Sequence, residues 1–305
     1  TYQVDYDDRS FVLRRPPFGQ IAKSAHDMMR EARVMKALKP VYPYVPDIIA
    51  ICDDHAVLGC DFYVMERLKG IILRQDFPED LDLNEADTRK LCLNVIDKLV
   101  DLHKVDTAAA GLDQLGKGAG YVERQIGGWS NRFRKAKTDD VGDFETVMTW
   151  LDDKMPADVA QCLIHNDFRF DNVVLNPDNP FEVIGVLDWE MAIGDPLMDL
   201  GNSLAYWIEA GDDDVFRTMR RQPTHRPGML TRKEVVDYYM EKSGYRAEQF
   251  DYYEIYGLFR LAVIMQQIYY RFYHGQTKDK RFAMFGQAIN YLEQRCLKLI
   301  KASAL

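Results

Sequence analysis

Hydrophobic and polar residues alternate through Tyr2, Val4 and Tyr6, break over Asp7–Ser10, and resume at Phe11–Leu13, which predicts a β-hairpin turning at residues 7–10. Pro16, Pro17 and Gly19 end it. Ser24 with Asp27 marks a capping-box start, after which Met28, Ala32, Met35 and Leu38 recur at helical spacing as far as Pro40. Glu31 falls inside that apolar stripe, where a carboxylate calls for a cation. Asp61–Gly70 reads as a buried strand running into a polar, glycine-ended connector. The first ~70 residues therefore read as β-β-α-β, the size of a small lobe rather than an independent domain.

Beyond the connector, periodicity predicts helices over Asn84–Lys104, Tyr121–Lys135 and Asp143–Asp153. Asn172–Glu190 reads as two short strands around an Asn-Pro-Asp-Asn-Pro turn. From Pro196 everything reads as helical, including 247–274 and 278–302, with Asp195 as N-cap and Pro196 at the first helical position. Gly116, Gly118 and Gly120 lie between helices, not between a strand and a helix, so they read as a connecting loop and not as a phosphate loop.

Composition narrows the class. At 305 residues the chain can bury a substantial core in one large domain or two lobes. Its five cysteines are scattered and form no Cys-x-x-Cys pair, so neither a zinc site nor a disulfide framework is suggested. The most apolar run, Tyr256–Phe272, is interrupted by Arg260, Gln266, Gln267 and Arg271 and falls short of the ~20 apolar residues of a membrane span. A net charge of −9 argues against a nucleic-acid partner, although the segment from Pro196 onward is slightly basic. A soluble cytoplasmic protein is expected.

The chemistry concentrates in "LIHNDFRFDN", Leu163–Asn172, which follows a short apolar run. Asp167 and Asn172 stand five apart, and the two strands that follow would bring Asp188 back to Asn172. Few, hard oxygen ligands suit Mg2+, which keeps waters and completes its shell from substrate phosphates. Phosphoryl transfer also wants a carboxylate for the attacking hydroxyl and a cation at the moving group, roles open to Asp167 and Arg169. His165 reads as a hydrogen-bonding brace.

"HNDFRFDN", "VLDWEMAIGDPLMDL", "REARVMKAL" and "FYVMERLKG" resemble the aminoglycoside phosphotransferase family of small-molecule kinases, in particular the branch of kinase-like domains fused to acyl-CoA dehydrogenases. The resemblance covers about residues 2–210. It implies an α+β, bilobal protein-kinase-like fold with a small β-rich N-lobe and a large, mainly helical C-lobe. The N-terminal nucleotide-binding lobe would be residues 1–69, and residues 70–305 the catalytic and substrate-binding lobe, with a helical substrate subdomain at about 197–305.

By the same resemblance Asp167 is the catalytic base and Asn172 and Asp188 are magnesium ligands. Arg169 steadies the transferring phosphate, and Glu66 and Leu68 offer backbone groups to adenine. Arg14 takes the place of the ATP-binding lysine, with Glu31 as its helix partner. The family's glycine- and serine-containing loop before the first strand is absent, and Thr1 opens inside a strand, so the native chain is expected to extend further.

Only Met191–Gly194 separate Leu-Asp-Trp-Glu from the next helix, too few for a protein kinase's activation segment, so a small acceptor is expected. The leading expectation is an ATP- and Mg2+-dependent phosphotransferase, able to use another nucleoside triphosphate, acting on a small-molecule hydroxyl. The alternatives are a catalytically silent nucleotide-binding scaffold and a metal-dependent phosphohydrolase. For the acceptor wall, Tyr206, Trp207, Tyr269 and Tyr270 read more readily as core. Asp212–Asp214 reads as a solvated loop.

Overall fold

The computed structural model describes residues 1–16, 27–189 and 192–305. Pro17, Gly19, Ser24, Glu190 and Met191 lie outside these residues. By compactness the chain forms two units, the first comprising 1–116, 162–193 and 227–229 and the second 117–161, 194–226 and 230–305.

In the first unit, β1 (Tyr2–Tyr6), β2 (Arg9–Arg14), β3 (Ile48–Cys52) and β4 (Phe62–Glu66) form an antiparallel sheet in the order β1-β2-β4-β3. The hairpin turn is tighter than residues 7–10: Arg9 pairs with Tyr6 and Ser10 with Asp5. Asp7 takes a φ of 51°, the left-handed backbone that lets a two-residue turn follow strand twist. The β-β-α-β reading lacks β3, an edge strand with Ile49 and Ile51 exposed, whose unbroken apolar run carries no alternation to mark it.

Helix α1 (Met28–Leu38) starts where Asp27 accepts from the Arg30 amide at 2.8 Å. It buries Met28, Ala32, Met35 and Leu38, as the spacing predicts. A short α2 (His55–Leu58) links β3 to β4, and α3 (Glu85–His103) is capped by Asn84. Three short strands follow, β5 (Cys162–Ile164), β6 (Val173–Leu175) and β7 (Val183–Val186), the last two paired as a hairpin. The connector after β4 is stitched to it: Ile71 and Leu175 exchange backbone hydrogen bonds of 2.9 and 2.8 Å. Gly70 permits this approach, since a Cβ there would stand 2.3 Å from the Leu175 carbonyl oxygen.

The second unit is helical: α4 (Tyr121–Ala136), α5 (Glu145–Asp153), α6 (Pro196–Leu204), α7 (Asp214–Thr218), α8 (Arg232–Ser243), α9 (Asp251–Tyr273) and α10 (Phe285–Ala302). Asp195 caps α6, accepting from the amides of Leu197 and Met198. The apolar run that resembles a short membrane span is α9, the buried core helix, and no helix among the described residues is long and apolar enough to cross a membrane. The segment after Pro196 is less helical than its composition suggests. Residues 205–213 and 219–231 are irregular, and their carbonyls are taken by side chains, as Leu230 O is by Trp207 Nε1 at 2.8 Å.

In the Asp212–Asp214 run, Asp213 and Asp214 are exposed as a solvated segment would be, but Asp212 is not. The Asp212 side chain is 5% exposed, held by Arg232 at 2.7 Å and Arg295 at 2.8 Å, while Asp213 caps α7. Those two arginines neutralise what would otherwise be an acidic patch. Trp207 and Tyr269 are core residues.

The loop before α4 is closed by a carboxylate. Asp158 accepts from the amides of Gly120, Tyr121 and Val122 at 2.7–2.9 Å, occupying the helix N-terminus where an anion would bind. Asp158→Ala leaves those three amides unsatisfied and should lower stability by about 2 kcal/mol in chemical denaturation followed by far-ultraviolet circular dichroism.

Candidate active site

The loop after β5 is held from within. His165 is fully buried, its Nε2 donates to the Leu187 carbonyl at 2.9 Å, and its Nδ1 accepts from the Asp167 amide at 3.2 Å. These two bonds assign the neutral Nε2–H tautomer. The ring packs against Trp189, with centroids 4.8 Å apart. The Leu187 amide also donates to the Asn172 carbonyl at 2.8 Å, so the β6–β7 hairpin returns Asp188 to the side of Asn172 as the spacing suggests.

Asn166 and Asp188 have φ of 70° and 58°, left-handed values uncommon outside glycine. Both flank residues bonded to His165 or next to it. Strain at two such positions persists only where the surroundings enforce it.

Asp167 receives three contacts in its loop: Asn172 Nδ2 reaches its carbonyl at 2.8 Å and its Oδ2 at 3.1 Å, and Arg169 Nη2 lies 3.2 Å from the same Oδ2. Arg169 Nε also donates to Asp171 at 2.9 Å. Arg169 thus sits between two carboxylates. Asp171 was silent in the sequence pattern. Burial raises its pKa above the ordinary carboxylate value, the Arg169 charge opposing and the Asp167 charge adding.

On the sheet side, Arg14 pairs with Glu31 at 3.3 Å and donates to Asp188 at 2.9 Å. Burial works against the Arg14 charge, but Tyr63, Glu31 and Asp188 outweigh it and the guanidinium is held above its ordinary value. Tyr63 OH donates to Glu31 Oε1 at 2.7 Å. The register pairs Tyr63 with Arg14 and Met65 with Val12, so the four share one face. Tyr63 is the contributor the sequence did not single out, although the period of two in β4 places it there.

Glu66 and Leu68 lie where β4 leaves the sheet. The Glu66 amide is taken by Asp47 O at 2.8 Å. Together these groups border a cavity of about 420 Å³ within the first unit, lined among others by Arg14, Glu31, Leu68, Arg169, Asn172 and Asp188. Asp167 stands behind Arg169 and Asn172 and is not on the cavity wall.

A family model described as the phosphotransferase enzyme family matches residues 1–234. The chain belongs to that family. Acyl-CoA dehydrogenase family member 10 of Mus musculus is 34% identical to this chain over 290 residues, which are 94% of the chain but 27% of that protein. The chain therefore spans about a quarter of that relative's length. The crystal structure of a protein assigned as an aminoglycoside phosphotransferase of Ralstonia eutropha superimposes with a TM-score of 0.84 at 25% identity, covering 99% of this chain and 89% of the other. The choline kinase LicA of Streptococcus pneumoniae, also solved in complex with AMP, has a TM-score of 0.58 at 14% identity, covering 99% and 89%. The chain has the kinase-like α+β fold, a small strand-rich region followed by a mostly helical remainder.

The raised Asp171 carboxyl has a signed consequence. Between the ordinary value of 3.8 and its raised folded value, the native state binds the extra proton, so Asp171 withdraws stability as pH rises through that window. Asp171→Asn lacks this term. Its stability relative to wild type should increase as pH rises above about 4, measured by urea denaturation at each pH.

Proposed function

We propose that this phosphotransferase moves the γ-phosphate of ATP, or of another nucleoside triphosphate, to the hydroxyl of a small molecule, with Asp167 as base. The observation that carries the reading is the pairing of two halves in one unit: Asp167 and Asn172 on the loop, and Asp188 returned beside them by the hairpin. The choline kinase of this fold that holds AMP supports a nucleotide in the cavity.

The donor set fits Mg2+. Among the described residues no three His, Cys, Asp or Glu side chains converge as a metal site. What converges is two oxygen donors, and a cation that takes the rest of its shell from phosphates and water asks for no more. Asn172 directs its amide protons to Asp167, which leaves Oδ1 as its acceptor. Asn172 and Asp188 would hold the ion, which when bound neutralises phosphate charge.

The remaining work falls to the chain. Asp167 accepts the proton of the acceptor hydroxyl, with Asn172 and Arg169 fixing its carboxylate. Arg169 then offers its charge to the transferring group, and Arg14, steadied by Glu31, to the donor phosphates. The backbone of Glu66 and Leu68 receives the base. We assign residues 1–69 as the nucleotide-binding lobe and 70–305 as the catalytic and substrate-binding lobe, with about 197–305 as the acceptor subdomain. The acyl-CoA dehydrogenase names of the relatives favour a hydroxyacyl-type acceptor, and the pairing of Asp212 with two arginines weighs against a polycationic one.

A screen of hydroxylated acceptors with γ-labelled ATP tests the reading. Asp167→Asn should lower turnover by about 10²–10⁴-fold while ATP affinity is kept. Nucleotide binding with no turnover on any acceptor would instead identify a silent nucleotide-binding scaffold. Phosphate release undiminished without acceptor would identify a phosphohydrolase. In a separate titration, Asp188→Ala should remove the Mg2+ dependence of ATP binding.

A further inference from the structure

We infer that Tyr63 is a positioning residue for nucleotide binding: its phenol fixes the Glu31 carboxylate, and through it the Arg14 guanidinium, at the wall of the cavity. This rests on the reading of Arg14 as the phosphate-binding cation. Tyr63 and Arg14 are cross-strand partners, so both side chains leave the sheet on the same face, and both border the cavity. Tyr63 is 0% exposed. Its hydroxyl meets Glu31 Oε1 at 2.7 Å, the same oxygen that lies 3.3 Å from Arg14 Nη2.

A buried phenol needs a partner in any core. Tyr42 donates to Lys98 O at 2.9 Å and Tyr252 to Leu151 O at 3.0 Å. Tyr269 donates to the Asp140 carboxylate at 2.5 Å. Tyr63 likewise has a carboxylate as acceptor on a separate element, and what sets it apart from these three is that it shares the acceptor oxygen with an arginine. Glutamate has three rotatable side-chain bonds, and an ion pair at 3.3 Å sets its direction loosely. A rigid ring from β4 adds a short, charge-assisted bond that does. The result ties β2, α1 and β4 together at one oxygen. Burial first, then Glu31, push the phenol's pKa up, so it remains a donor at any pH at which the protein works.

Tyr63→Phe keeps the ring and removes the hydroxyl alone. Calorimetric titration with ATP, with and without Mg2+ and extended to millimolar nucleotide, is carried out on wild type, Tyr63→Phe, Arg14→Met and the double variant, with thermal unfolding alongside. The expected result is that Tyr63→Phe weakens ATP binding about tenfold. Its melting temperature stays near that of wild type, and the weakening disappears in the Arg14→Met background, since a positioning residue has nothing left to position. If wild type binds ATP and Tyr63→Phe binds it equally well, or loses the same factor with and without Arg14, the inference is overturned while the nucleotide reading stands. If wild type binds no ATP, the nucleotide reading itself falls and takes the inference with it.

Discussion

The site depends on one neutral imidazole. His165 closes two backbone groups at once, donating to Leu187 O and accepting from the Asp167 amide. Neither a carboxylate nor an ammonium could do both, and a charged imidazolium would lose the acceptor. Its two partners adjoin the left-handed residues: Asn166 lies between His165 and Asp167, and Asp188 follows Leu187. An unfavourable backbone conformation of order 1–3 kcal/mol persists only if something over-determines it. A fully buried ring packed against Trp189, with both nitrogens committed, meets that requirement.

From this brace, charge is laid out in alternation. Arg169 lies between Asp171 and Asp167, and Arg14 between Glu31 and Asp188. Each half-buried cation is compensated by two carboxylates, which keeps desolvation from dominating. The planar fork of Arg14 reaches both Glu31 and Asp188, one from α1 and one from the hairpin end. Arginine here therefore preserves the helix pairing that family resemblance implies and adds a link to Asp188 that the sequence did not suggest.

What the sequence made readable follows from period and spacing. The buried stripe of α1, the Asp195 cap, and the return of Asp188 to Asn172 rest on local rules that tertiary contacts did not override. The losses have equally specific causes. Strand β3 is exposed at an edge, so its burial has no period to detect. Tyr63 joined the site through Glu31 and Arg14, on other elements, which a single sequence does not display, whereas the partner of Asp171 is Arg169, two positions away in a loop that has no period to mark it. Asp212 looked solvated because two of its neighbours are acidic, yet it is held by arginines 20 and 83 positions away.

That last case bears on recognition. A buried pair or triad of charges is costly unless its geometry is good, and removing one partner strands the others. Asp212 is held by both Arg232 and Arg295, and their attraction, with hydrogen bonds from Arg232 and the Glu209 amide, outweighs burial and keeps its pKa below the usual carboxylate range. Arg232 also lies 3.6 Å from Glu209 and from Glu254. The charges of this region are consumed in holding α8, α9 and α10 to the irregular segment before α7. An acceptor bound by the helical unit would accordingly meet little uncompensated acidity from Asp212 itself.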